Sequence, residues 1–260
     1  MEKIAVVTDT GSNLSFAQAK ELGIYLLPLQ ITIDETTYQD TLEISTLDIY
    51  NELANGKMPK TSMAAYQKIY DLFEELKKDY DTIFAVPLTN GLSTNASTMQ
   101  SIARELEMNV HVIDMYATCA LEKHVAIWIK KLVDEHKSSE EILKIIQPAI
   151  DESNSLILVK NLQHLKRGGR LTPMAAALAG LLKIYPVLHI NKSTEGRIDV
   201  LNKVRTEKRA DAYAIDKIMD DIDIQHTHIY IIHSNFLEGA DHFKKCFIEK
   251  GVPEQNIHID

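Results

Sequence analysis

The chain is predicted to be an α/β protein of two domains: a parallel-sheet domain over residues 1–152 and an α+β domain with a mixed sheet over residues 153–260. Three observations predict it. Through the first half, short apolar runs alternate with amphipathic helical stretches, the pattern of βαβ units and a Rossmann-like parallel sheet. After residue 152 strands dominate, and "STEGR" (Ser193–Arg197) between two of them reads as a hairpin turn, which implies antiparallel pairing. The 260 residues, 45% of them hydrophobic, suit one large or two small domains with length enough to bury a core.

The elements follow in order. "IAVVTDT" (Ile4–Thr10) is a short apolar run closed by polar turn residues, hence a strand. "YLLPLQITI" (Tyr25–Ile33) carries a proline, which cannot donate to a ladder, so it is expected to be an edge strand or to bend there. "TIFAVPL" (Thr82–Leu88) and "VHVID" (Val110–Asp114) are two further buried strands. Tyr66, Ile69, Tyr70, Phe73 and Leu76 share one face at helical spacing. Leu121, Val125, Trp128, Ile129, Leu132 and Val133 do the same, with Lys130 and Lys131 opposite. "SSEE" (Ser138–Glu141) offers a capping box for a helix through Ile142, Ile145 and Ile146. Beyond residue 152, "SLILVK", "PVLHIN", "IDVLNKV" and "HIYIIHS" read as strands, with helices near Ala210–Asp220 and Leu237–Lys250.

One more helix is expected over Pro173–Ile184. Pro173 suits a first turn, and Met174, Leu178, Leu181 and Leu182 repeat at helical spacing among Ala175, Ala176, Ala177, Ala179 and Gly180. Such a helix is apolar nearly all round and should be buried. Its small residues leave room for another helix or for a long apolar ligand.

Net charge is −9 and the pI about 5.6, against the usual balance of a nucleic-acid binder. Yet Lys160 to Arg209 holds eleven Lys/Arg and three Asp/Glu. A basic surface on an acidic chain predicts a local anionic ligand or an acidic partner. Cys119 and Cys246 lie far apart, as in a reduced intracellular protein, and are expected on apolar helix faces. The opening "MEKIAVV" is no signal peptide, and no apolar run is long enough for a bilayer. A cytoplasmic protein without stable membrane insertion is expected.

There is no Gly-rich dinucleotide fingerprint, no P-loop and no serine in a nucleophile-elbow context. The ten histidines are scattered without partners at metal spacing, so neither a metal nor a cofactor is expected. Hydroxyl-bearing loops remain. "VVTDTGSNLS" puts Asp9, Thr10 and Ser12 after the first strand, "PKTSMAAY" puts Thr61 and Ser62 just before a helix, and "LTNGLSTNAS" puts Ser93 at a strand-to-helix junction. Such loops gather at the carboxyl edge of a parallel sheet, where helix N-termini favour anions. Together they could hold a carboxylate; taken singly, each reads as a helix cap rather than a ligand group. "LKRGGRLTP" (Leu165–Pro173) crowds Lys166, Arg167 and Arg170 around two glycines that permit close backbone approach.

Taken in order, "VVTDTGSNL", "PLQITIDETTYQD", "KTS" (Lys60–Ser62), "PLTNGLST" (Pro87–Thr94), "VIDMYAT" (Val112–Thr118) and "LQHLKRGGRLTPMAAALAGLLKIYPVL" make nearly the whole chain resemble the DegV family, bacterial fatty-acid-binding proteins that serve a fatty acid kinase. The resemblance implies a fatty acid of palmitate, stearate or oleate type threaded through the core, with its site between the two domains. It implies a carboxylate held by Thr61 or Ser62 and by Ser93. A separate fatty acid kinase subunit would phosphorylate that carboxylate to an acyl phosphate. Arg170 would help the phosphoryl group or the docking, with Arg167 and Lys166 toward the partner. Met174, Ala177, Leu178, Gly180 and Leu181 would line the tail's tunnel. On this reading the protein is a substrate carrier with no catalytic residue of its own.

The chain departs from the family pattern at several places. Met63, Ala64 and Ala65 replace the common Gln-Pro-Ser, and Thr94, Asn95 and Ala96 replace Gly-Thr-Tyr. Met115 stands for a serine and Tyr185 for the usual lysine. The sequence ends in "NIHID", before the His-x-Gly-Pro-Gly segment that brings the family's head-group histidine, so part of the phosphate site is expected to be missing. The alternative is a hydrolase or transferase using Ser93 or Asp9 in the inter-domain cleft, although no histidine or lysine stands near either in sequence as a base. Nucleic-acid binding through the basic stretch is opposed by the overall acidity.

Overall fold

The computed structural model describes residues 2–181 and 183–260. The chain forms two compact units, one of residues 1–154 with 191–196, the other of residues 155–190 with 197–260. The first contains β1 (Ile4–Asp9), α1 (Phe16–Leu22), β2 (Tyr25–Leu27), β3 (Gln30–Ile33), β4 (Thr36–Gln39), α2 (Thr46–Ala54), β5 (Lys60–Ser62), α3 (Tyr66–Leu76), β6 (Thr82–Val86), α4 (Asn95–Glu105), β7 (Asn109–Val112), α5 (Ala120–Asp134) and α6 (Ser139–Glu152).

Strands β2, β1, β6 and β7 form, in that order, a parallel sheet. Strand β1 is buried along its length because it has a strand on each side and helices on both faces. Its residues alternate between two cores. Ala5 and Val7 pack with Ile69, Phe73 and Leu76 of α3 and Met99 and Ile102 of α4. Ile4 and Val6 pack with Val125, Ala126 and Ile129 of α5 and Ile142 and Ile146 of α6. Each fully buried large apolar side chain of this kind contributes about 1.5–3 kcal/mol. Ser138 caps α6 as expected: its hydroxyl accepts from the Glu141 N–H, and the Glu141 carboxylate accepts from the Ser138 N–H at 2.9 Å.

The Tyr25–Ile33 stretch both lies at an edge and breaks at its proline. Strand β2 ends the parallel sheet, and after Pro28 the chain enters a separate antiparallel sheet of order β4-β3-β5. Strands β4 and β5 are short and largely exposed, and their own residues carry no clear alternation to announce them.

The second unit is built from β8 (Asn154–Leu158), α7 (Leu162–Arg167), α8 (Pro173–Leu178), β9 (Tyr185–Asn191), β10 (Asp199–Val204), α9 (Glu207–Asp221), β11 (Ile229–Ile231), α10 (Leu237–Glu249) and β12 (Ile257–Ile259). Sheet order is β10-β9-β8, with β9 and β10 antiparallel, and β11 pairs in parallel with β12. Between β9 and β10, residues Lys192–Thr194 form a single 3₁₀ turn, and Glu195 and Gly196 take positive φ to reverse the chain.

Two expectations are corrected here. Helix α8 stops at Leu178, not Ile184: Ala179 is extended and Gly180 sits at φ +120°, a conformation that only glycine adopts without strain. Gly180 is thus a turn residue. The helix is not buried all round either. Ala175 and Leu178 are buried, whereas Met174, Ala177, Gly180 and Leu181 are exposed. Leu182 lies outside the described residues. The second correction concerns Cys119, which precedes α5 at φ +55° and does not lie on a helix face; Cys246 does lie on α10. Among the described residues no helix is long and apolar enough to cross a membrane.

Candidate functional site

Ser93 lies in the loop from β6 to α4, at the carboxyl edge of the parallel sheet. That loop is held at several points. The Thr89 carbonyl accepts from the N–H groups of Leu92 (3.0 Å) and Ser93 (3.1 Å). Asp9, at the end of β1, accepts from Leu88 N at 2.9 Å and from Asn95 Nδ2 at 2.6 Å. Asp114, just past β7, accepts from Asn90 N at 3.0 Å. Neighbouring strands therefore end in carboxylates that grip the loop's backbone.

Ser93 is half-buried, and its Oγ accepts from Asn95 N at 3.2 Å. The hydroxyl thus serves the first residue of α4, while Thr94, in the capping position, makes no side-chain cap. Among the described residues the Ser93 O–H donates to no group, and no histidine or lysine bonds to it. One hydroxyl can accept and donate at once, so the helix bond and a ligand bond are compatible.

Thr61 and Ser62 precede α3, which begins at Tyr66 and is capped by neither of them; that they end a strand was not expected. They form the end of β5, paired with Ile31 and Gln30 of β3, and both are exposed. The following Met63 reaches the start of α4: the Thr94 and Thr98 hydroxyls lie 3.3 Å from its Sδ. The structure therefore brings the end of the "KTS" strand against the helix that Ser93 precedes.

The hydroxyls after β1 have local roles. Thr10 Oγ1 accepts from Leu29 N at 3.1 Å, and Ser12 Oγ donates to the Asp9 carbonyl at 2.7 Å. Asp9 itself is wholly buried. Its oxygens take three N–H donors, the third being Gly11 N at 2.8 Å. Such a carboxylate is a structural anchor and is poorly placed to attack a substrate. Beside it lies Glu122, also wholly buried. Burial raises the pKa of both acids; the charge of Asp9 pushes Glu122 the same way, whereas the bonds from Leu88, Gly11 and Asn95 pull Asp9 back down. Sequence reasoning missed Glu122, though a signal existed: with Val125, Ala126 and Ile129 it forms an i, i+3, i+4, i+7 set on the buried face of α5.

In the second unit the Gly-Gly loop closes α7. Gly168 N and Gly169 N bond back to the carbonyls of Leu165 (3.1 Å) and Lys166 (3.0 Å), and Gly169 takes φ +75°. Arg170 is half-buried and donates from Nη1 to the Gly168 carbonyl at 2.5 Å; Lys166 and Arg167 are exposed. Thr172 caps α8 by accepting from Ala175 N and ties the loop to β10 through Asp199 Oδ1 at 2.5 Å. Among the described residues no group of three or more His, Cys, Asp and Glu is placed to hold a metal ion.

These features define a mixed α/β protein whose parallel sheet carries a pinned, hydroxyl-bearing loop at its carboxyl edge. The chain belongs to the DegV family: the family model described as "Uncharacterised protein, DegV family" matches residues 3–260. It is 32% identical over 266 residues to a DegV domain-containing protein of Halalkalibacterium halodurans, a match covering 100% of this chain and 90% of that one. Its structure is similar to that of a fatty acid binding DegV family protein from Streptococcus agalactiae, with a TM-score of 0.91, 28% identity, and coverage of 100% of this chain and 92% of the other. It is also similar to DegV, a fatty acid binding protein from Bacillus subtilis, with a TM-score of 0.85, 25% identity, and the same 100% and 92% coverage.

Proposed function

We propose that this protein binds a long-chain fatty acid, with the carboxylate at the Ser93 loop, and presents it to a separate kinase subunit for acyl-phosphate formation. The observation that carries the reading is Ser93. Its oxygen is engaged by Asn95 N, so its proton is left to donate at the N-terminal end of α4, where negative charge is favoured. Thr61 or Ser62 supplies the second hydroxyl from the strand whose next residue touches Thr94. Such donors replace the water that a carboxylate loses on burial, so it stays ionised in a dry site.

The likeness to the Streptococcus agalactiae and Bacillus subtilis proteins supports the ligand class. An apolar tail contributes roughly 0.8 kcal/mol for each CH₂ moved out of water. About sixteen carbons give on the order of ten kcal/mol before ordering costs are subtracted. The apolar side chains assigned to that tail are Met174, Ala177, Leu178 and Leu181, beside the Gly180 turn. Arg170, held to its own loop by the Gly168 carbonyl, is assigned to the phosphoryl group, and the exposed Lys166 and Arg167 to the kinase surface. We place this system in the cytoplasm, consistent with Cys119 and Cys246 being thiols rather than a disulfide pair.

Organic extraction and mass spectrometry of protein purified without added lipid test the reading. One long-chain fatty acid per chain, of palmitate, stearate or oleate type, is the expected result. Protein that carries no lipid and fails to take up palmitate or oleate would overturn it.

A further inference from the structure

The fatty-acid reading makes no use of the buried acid pair behind the Ser93 loop. Asp9 and Glu122 are both 0% exposed. They flank Gly11: a Cβ on that residue would lie 2.7 Å from Asp9 Oδ1 and 3.2 Å from Glu122 Oε2. Among the described residues, no cation is among the main influences on either group; the titratable neighbours of Glu122 are Asp9, from the end of β1, and the Cys119 thiol, just ahead of α5. The donors are divided unequally. Asp9 receives three N–H bonds, from Gly11, Leu88 and Asn95. Among the described residues Glu122 Oε1 has only the Thr8 hydroxyl, at 3.2 Å, and that hydroxyl lies closer to the Val86 carbonyl, at 2.7 Å. Glu122 Oε2 has no donor among the described residues. Two carboxyls this close in a dry site cannot both ionise, and the one without donors keeps the proton.

We propose that Glu122 is protonated at neutral pH, donates from Oε2 to Asp9 Oδ1, and that this acid–carboxylate unit positions the Ser93 loop. Asp9 Oδ2 holds that loop at both ends, at Leu88 N where it leaves β6 and at Asn95 where α4 begins. Ionising Glu122 would set two negative charges against each other across Gly11 and disturb the carboxylate that grips the loop. The bare α-carbon of Gly11 leaves space for the pair. The loop's role rests on the Ser93 reading; the shared proton does not. Folding holds a proton on Glu122 that the unfolded chain releases above the ordinary glutamate range. The pair's contribution to stability is therefore complete below that range and is lost as pH rises through the raised pKa of Glu122.

Infrared spectroscopy of the wild-type protein at neutral pH tests the proton. The carbonyl stretch of a buried protonated carboxyl is expected, and it should be missing in Glu122→Gln. Absence of the band, or its survival in Glu122→Gln, overturns the assignment. Should that variant not fold, the wild type suffices: the melting temperature should fall as pH rises above the ordinary glutamate range while the band persists, and stop falling on this account once the band is lost; a melting temperature that does not fall while the band persists overturns the linkage. Oleate titration of Asn95→Ala, Ser93→Ala and the double variant tests positioning. Asn95→Ala should weaken binding by about tenfold, and the double variant should bind no worse than Ser93→Ala alone. Losses that multiply would overturn positioning through Ser93. Unchanged affinity in Ser93→Ala alone would overturn the carboxylate reading instead, leaving the infrared band to decide the shared proton.

Discussion

Replacing Ser93 by alanine removes one oxygen and separates two roles. As a ligand group, its O–H donated to an ionised carboxylate contributes about 1.5–3 kcal/mol, so oleate should bind roughly ten- to a hundredfold more weakly. As a cap, the same oxygen accepts from Asn95 N at 3.2 Å, the long end of the hydrogen-bond range. The loop also keeps its other ties, Leu88 N and Asn95 Nδ2 to Asp9 and Asn90 N to Asp114. Loss of the cap should then cost about 0.5–1 kcal/mol, or roughly 1–2 °C in melting temperature for a chain of this size. The assay is oleate titration beside a thermal melt of the same preparation. Ser93→Thr, which keeps the hydroxyl, should recover much of the affinity. Normal oleate binding with a lowered melting temperature would make Ser93 a helix cap and nothing more.

In a reconstituted kinase assay, Arg170→Ala should depress phosphoryl transfer more than oleate binding; equal losses of both would refute the assignment of Arg170 to the phosphoryl group. Gly180→Ala should destabilise the protein by about 1–2 kcal/mol in a urea titration, because φ +120° is strained for any side chain, and an unchanged midpoint would show that the turn relaxes freely. Gly11→Ala should cost about 1–3 kcal/mol, since its Cβ would meet Asp9 Oδ1 at 2.7 Å. Denaturant unfolding checks this, and wild-type stability in the variant would show that the acid pair has room to move.

Local patterns were legible in the sequence because their causes are local. The helical spacing of Ile69, Phe73 and Leu76 placed α3 and its buried face, and Ser138 with Glu141 placed the start of α6. Pro28 marked a break because no partner strand can restore its missing donor. The loop bearing Ser93 was likewise visible as a strand-to-helix junction. Helix α8 misled because an alanine-rich run reads as helix, while the left-handed turn at Gly180 is set by the backbone around it.

Tertiary structure alone decided the pairing. Gln30–Ile33 leaves the parallel sheet to pair with Thr36–Gln39 and Lys60–Ser62, which makes Thr61 and Ser62 the end of a strand ahead of α3. Strand preference of this kind belongs to the partner as much as to the segment, so a short polar stretch does not reveal it. The acid pair is the sharper case. Asp9 read as a loop residue, and Glu122 was not singled out at all. Only the packing of α5 against β1 puts them on either side of Gly11, away from water, where one proton must serve two carboxyls.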